Sequence, residues 1–190
     1  MADGRKIDIS PDLVRCSASV YIDRGFNLDF FKYLFPYDKA SGKYLVTATN
    51  PVGEFLTHSA RQTPVPAILQ PRKGSEICEL AIPTVNGLPR NQWLMYKDAD
   101  ITRINHILNA WFEIDFYRYY IKGIEYGYDK KDIIEAYVIS RNLVTGEPFD
   151  TLHKRVYRRQ METMKRKSAI LSRKARYFFD ESDPTAPKPK

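Results

Sequence analysis

The spacing of apolar residues changes period once along this chain, near residue 98, and that change sets the fold class. Before it, Val14, Cys16, Ala18, Val20 and Ile22 alternate with residues such as Arg15, Ser17 and Ser19. A period of two turns one side of a strand inward and the other outward. Ile77, Glu79 and Ala81 set against Cys78, Leu80 and Ile82 predict a second such strand, Glu76–Ile82, stopped by Pro83. After residue 98, Ile104, Leu108, Phe112 and Phe116 recur every fourth place, and Ile107, Trp111 and Ile114 widen the stripe. So broad an apolar face predicts a helix buried on most sides, capped by Asp98 or Asp100 and running to about Tyr126. The pattern predicts an α+β fold: a small β-containing N-terminal part with short helices and a Pro-rich arm, then a helical C-terminal half.

Shorter elements fill the first part. Asn27 is positioned to cap an aromatic helix, Leu28–Phe35, ended by Pro36. Residues 38–42 read as a turn and Lys43–Thr49 as a strand. Asn50-Pro51 begins a helix to about Arg61, because Asn caps well and Pro suits the first turn. Pro64, Pro66 and Pro71 fall within eight residues, with Gly74 behind them. That density excludes a helix or a central strand, so 63–75 reads as an extended arm. Asn86-Gly87 signals a turn, and Trp93–Tyr96 an edge strand. Gly123 and Gly127 mark the end of the helix that runs to about Tyr126, and Asp129 caps a second helix, Lys130–Asn142. The organisation is then 1–97 for the β-containing part, 98–148 for a helical pair, 149–180 for a long basic helix and 181–190 for a flexible, Pro/Lys-rich tail.

The basic helix holds the chain's charge. The whole sequence carries 30 Lys and Arg against 23 Asp and Glu, a net +7. Residues 149–179 alone carry ten bases against two acids, +8, and the tail is −1, so the remaining residues are neutral. Concentration of this kind points to a polyanionic partner, nucleic acid ahead of an acidic protein. The candidate phosphate-binding residues are Lys154, Arg155, Arg158, Arg159, Lys165, Arg166, Lys167, Arg173 and Lys174. The helix, expected as one piece from about Asp150 to Phe179, also has an apolar seam: Tyr157, Met161, Met164, polar Ser168, Leu171, Ala175 and Phe178. Steps of four and three suit packing against another helix, in a neighbouring subunit or in the chain's own body. Tyr157, Met161, Met164, Leu171 and Phe178 are the candidate interface residues.

Motifs of catalysis are missing from the sequence. It has no Gly-x-x-x-x-Gly-Lys-Ser/Thr loop, no Gly-x-Ser-x-Gly elbow and no His-Glu-x-x-His. His58, His106 and His153 are dispersed. Cys16 and Cys78 lack the paired spacing of metal ligands and suit small apolar positions on strands. Asp115 is placed to pair with Arg118 at i+3. The expectation is a chain with no catalytic residues, no metal and no cofactor. Tyr117, Tyr119, Tyr120, Tyr126 and Tyr128 crowd one stretch, and tyrosine suits interfaces because it buries a large ring and keeps a polar tip.

Residues 129–164, a capped helix, a Gly-containing break and a basic helix, resemble a helix-turn-helix, with Thr151, Lys154, Arg155, Arg158 and Arg159 as groove-facing candidates. The connector 142–148 departs from that motif, being seven residues where three or four are usual. Two functional readings follow. The first is a non-enzymatic structural subunit of a large nucleic-acid-containing assembly, a phage or viral particle ahead of a ribosome-type particle. Its partners would be other protein subunits, in a homo- or hetero-oligomer, and DNA or RNA at the basic helix. The second is a helix-turn-helix-like DNA-binding regulator. No apolar run approaches the ~20 residues of a membrane span, and the N-terminus carries no signal-peptide pattern, so an intracellular or virion-associated location is expected.

Overall fold

The computed structural model describes residues 15–83, 93–144, 146–157 and 161–180. Six strands form one mixed sheet, and the described helices lie against one of its faces. The strands are β1 (Arg15–Asp23), β2 (Tyr37–Asp38), β3 (Lys43–Leu45), β4 (Arg61–Thr63), β5 (Ser75–Pro83) and β6 (Trp93–Met95), in the order β2-β3-β5-β1-β6-β4. The two alternating segments of the sequence are the centre of the sheet. β1 and β5 pair antiparallel over their whole length, with Cys16 opposite Ile82, Ala18 opposite Leu80 and Val20 opposite Cys78. All six of those side chains are buried, so the register places the apolar set of both strands on the helix-covered face.

Two strand expectations need correction. Trp93–Met95 is not an edge strand. It runs parallel to β1, with Ser17 opposite Trp93, and antiparallel to β4, which takes the edge instead. The strand expected over Lys43–Thr49 is also shorter, ending at Leu45. Residues 37–45 form a hairpin, β2–β3, around the Asp38 turn, in which the Asp38 carboxylate accepts from the Ala40 and Ser41 backbone N–H groups.

The helices are α1 (Phe26–Leu34), α2 (Pro51–Ser59), α3 (Asp98–Glu125), α4 (Lys130–Ser140), α5 (Pro148–Tyr157) and α6 (Met161–Asp180). Asn50 caps α2 as expected, its side chain accepting from Gly53 N–H at 3.0 Å. A Cβ on Gly53 would strike the Thr47 carbonyl oxygen, so only glycine lets this turn close on the preceding loop. The cap of α1 is Gly25, not Asn27; at φ +94° Gly25 adopts a conformation open to glycine, and the Asn27 amide donates to the Asn105 carbonyl instead. Lys97, not Asp98 or Asp100, is the cap residue of α3, and its N–H is taken by the Asp100 carboxylate at 3.3 Å. The helix expected over 150–179 is described in two lengths. α5 packs on α4, whereas α6 packs on α3 and α2.

Helix α3 is the spine of the core. Phe112 stacks on Phe26 and meets Phe30 edge-on, and Phe116 lies edge-on to Tyr137 of α4, all at centroid distances of 5.0–5.4 Å. Asn105, buried at 5% exposure, aligns the spine on the sheet. Its oxygen accepts from Asp23 N–H at 2.8 Å and its amide donates to the Tyr21 carbonyl at 2.9 Å, past Ser17 and Ala18, the β1 residues that pair with β6. Both backbone groups would otherwise be left without partners at the strand end.

Candidate nucleic-acid and partner interface

The basic segment is partly folded inward. Glu113 of α3, only 13% exposed, sits between two of the expected phosphate ligands: Lys167 of α6 at 2.5 Å and Arg155 of α5 at 3.7 Å. Each cation also lies over an aromatic ring, Lys167 over Tyr117 and Arg155 over Phe26. Lys165 pairs with Glu125 near the end of α3 at 3.3 Å, in the open. One carboxylate thus ties both basic helices to the spine. Sequence periodicity could not reveal this, because Glu113 lies some forty and more residues away from its partners.

The remaining cations divide in two. Lys154, Arg166 and Arg173 are exposed and free to meet an anionic surface. Arg158 and Arg159 lie outside the described residues, as does the Lys174 side chain. Among the apolar seam residues, Met164 is 1% exposed and belongs to the chain's own core, with Ser168 buried beside it on the same face of α6. Leu171 is half-buried. The side chains of Tyr157, Met161 and Phe178 lie outside the described set. At Met164 the seam is filled by this chain itself.

A second surface is formed by the sheet face turned away from the helices. The arm, Pro64–Gly74, crosses it without regular structure. Tyr21 Oη–H donates to the Gln70 carbonyl at 2.6 Å, and Pro66 and Ala67 stand over Ser17, Ser19, Glu79 and Trp93, enclosing a pocket of about 180 Å³. The pairing register sets Lys43, Glu79, Ser19, Met95 and Arg61 in one row across the strands. Polar groups in this region satisfy one another: Ser19 Oγ–H donates to the Glu79 carboxylate at 2.8 Å, and the Lys43 ammonium donates to Ser17 Oγ. The apolar groups do not. Val65 is 62% exposed, Ile68 82%, Trp93 41% and Met95 38%. Two of these residues lie on the arm and two on β6 of the face it crosses, and exposed apolar side chains on an arm and on the sheet beneath it suit a partner surface. The sequence marked the arm through its prolines but not β4, whose Arg61-Gln62-Thr63 has no apolar alternation.

Asp115, Arg141 and Tyr137 are engaged with one another, and both cysteines are buried. Asp115 holds Arg141 through two nitrogens, at 2.8 and 3.3 Å, and accepts from Tyr137 Oη–H at 3.1 Å. The guanidinium of Arg141 also lies against the rings of Tyr33, Tyr119 and Tyr137. Burial, reinforced by the Asp115 charge, pushes the Tyr137 phenol up, so it stays neutral. Arg141 is a partner of Asp115 that the local i+3 spacing to Arg118 did not suggest. Burial pushes the Cys78 thiol up to about 12, which makes it unreactive, and Cys16 is buried too. Among the described residues no group of three His, Cys, Asp or Glu side chains could hold a metal ion, and no helix is long and apolar enough to cross a membrane. No protein-family model, curated protein or solved structure matches this chain.

Proposed function

We propose that the chain is a non-enzymatic structural subunit of a large nucleic-acid-containing assembly, a phage or viral particle ahead of a ribosome-type particle. The arm-crossed sheet face meets a neighbouring subunit, and the exposed cations of α5 and α6 face the nucleic acid. The observation that carries this reading is the exposure of Val65 and Ile68 on the arm and of Trp93 and Met95 on the strand of the sheet face that the arm crosses. The engagement of Asp115, Glu113 and Cys78 in packing supports a binding role over a catalytic one.

The helix-turn-helix alternative is weaker. α4 and α5 do pack as a pair, but a recognition helix reads bases from its N-terminal turn. In α5 that end presents exposed Glu147 and Asp150, which repel phosphate, and Arg155 is turned toward Glu113.

The reading is tested by purifying tagged wild type and an Ile68→Glu/Val65→Glu variant from the native source. Both sites are exposed, so the variant should keep its thermal stability while losing its co-purifying subunits. Retention of every partner by the folded variant would refute the assignment of this face.

A further inference from the structure

The tyrosine-rich stretch of the sequence ends in a groove between α3 and α4. Gly127, at φ +80°, turns the chain back after α3, and Gly123 lets Ile133 of α4 press against the α3 backbone. Beside that contact the helices leave a cavity of about 710 Å³, walled by Tyr119, Lys122, Tyr126, Tyr128, Asp132 and Ile133. Tyr126 and Tyr128 are 69% and 64% exposed, although the other tyrosines of the stretch are wholly or partly buried. The Lys122 ammonium lies 5.6 Å from the centre of the Tyr126 ring. Glu125, next to Tyr126, carries Lys165 of α6, so the groove adjoins the basic surface.

We propose that this groove takes one unstacked nucleotide of a single-stranded nucleic acid. The inference rests on the nucleic-acid contact in the proposed function and adds to it a strand type and a site. A base is a planar ring that stacks on an exposed tyrosine whatever its sequence. With the base on Tyr126 or Tyr128, its phosphate falls within reach of Lys122, and the Asp132 carboxylate is placed to accept from an exocyclic amine. The volume lies within the range of small-ligand pockets, which runs from about 300 to 1,000 Å³. A duplex keeps its bases paired and stacked and cannot present one to the groove. It can still meet Lys154, Arg166 and Arg173, which need only phosphate.

The test compares a labelled mixed-sequence single strand of about 12 nucleotides, within the span of known single-strand sites, with a duplex of equal length. Fluorescence anisotropy follows binding to the full chain, to Tyr126→Ala/Tyr128→Ala and to Lys154→Gln/Arg166→Gln/Arg173→Gln. Both tyrosines are exposed, and thermal melting checks that the variant is folded. The single strand should bind wild type more tightly than the duplex does. The tyrosine variant should lose about 5- to 100-fold for the single strand and nothing for the duplex, whereas the cation variant should weaken both. Unchanged single-strand binding by the tyrosine variant overturns the groove assignment, and persistent duplex binding in that experiment leaves the broader reading standing. Failure of wild type to bind either probe overturns both.

Discussion

Replacing Gly123 by alanine probes the contact that fixes α4 against the spine. A Cβ there would lie 2.7 Å from both Cδ1 and Cγ1 of Ile133 and 3.1 Å from its Cγ2. Ile133 is 4% exposed, with the α3–α4 groove on one side of it, so how far its side chain gives way into that groove sets where in the range the cost falls. Overpacking of this kind costs about 1–3 kcal/mol. Alanine in a helix interior returns about 1 kcal/mol relative to glycine. Gly123→Ala should therefore lower stability by anything from about zero to ~2 kcal/mol. Ile133→Ala alone leaves a cavity and should cost about 2–5 kcal/mol. In the double variant the new methyl occupies space that Ile133 has vacated, so the clash disappears. The two changes should then be coupled by about 1–3 kcal/mol in the favourable direction. Urea denaturation of the four proteins measures the cycle. Additivity within about 0.5 kcal/mol, or a Gly123→Ala variant about 1 kcal/mol more stable than wild type, would refute the close approach of these helices.

Other expectations follow from the same geometry. Glu113→Gln leaves Arg155 and Lys167 half-buried without their counter-charge and should cost about 1–2 kcal/mol, discounted for the partial exposure of the cations; the loss should shrink in high salt, as urea midpoints at low and high salt will report. Removing Lys154, Arg166 and Arg173 together should reduce the log–log salt dependence of duplex binding by up to about three units, at roughly 0.9 per phosphate released, and a slope equal to that of wild type would take these cations out of the interface. Cys78 should resist alkylation in the native protein and react on unfolding. Because its folded-state pKa is raised, its thiol stabilises the fold up to the unfolded value near 9, and that contribution is lost as pH rises toward about 12; a Cys78→Ala variant should show a shallower alkaline decline in melting temperature.

The parts of the fold legible in the sequence are those governed by neighbours along the chain. Asn50-Pro51 set the start of α2, Asp129 caps α4 with its carboxylate on Lys131 N–H, and the alternation from Cys16 to Ile22 set the inward face of β1. The parts that were not legible depend on distant partners. Trp93–Met95 is too short to show its pairing, and it became an inner strand because β1 and β4 flank it. Gly123 read as a helix end, but it lies inside α3 and serves Ile133; Gly127 alone follows the helix. The basic helix was visible as charge. Its division between inward and outward cations was not, because Glu113 and Glu125 belong to another helix. The same holds for Asp115, whose spacing to Arg118 was local, whereas Arg141 reaches it from the far end of α4.

The central claim is that this chain works as one subunit among others around nucleic acid. Its most direct test is the mass and composition of the intact complex isolated from the native source, by native mass spectrometry and the ratio of absorbance at 260 to that at 280 nm. The expected species has many times the 22.1 kDa mass of the chain and contains further protein subunits and nucleic acid. A 22.1 kDa monomer free of both would contradict it.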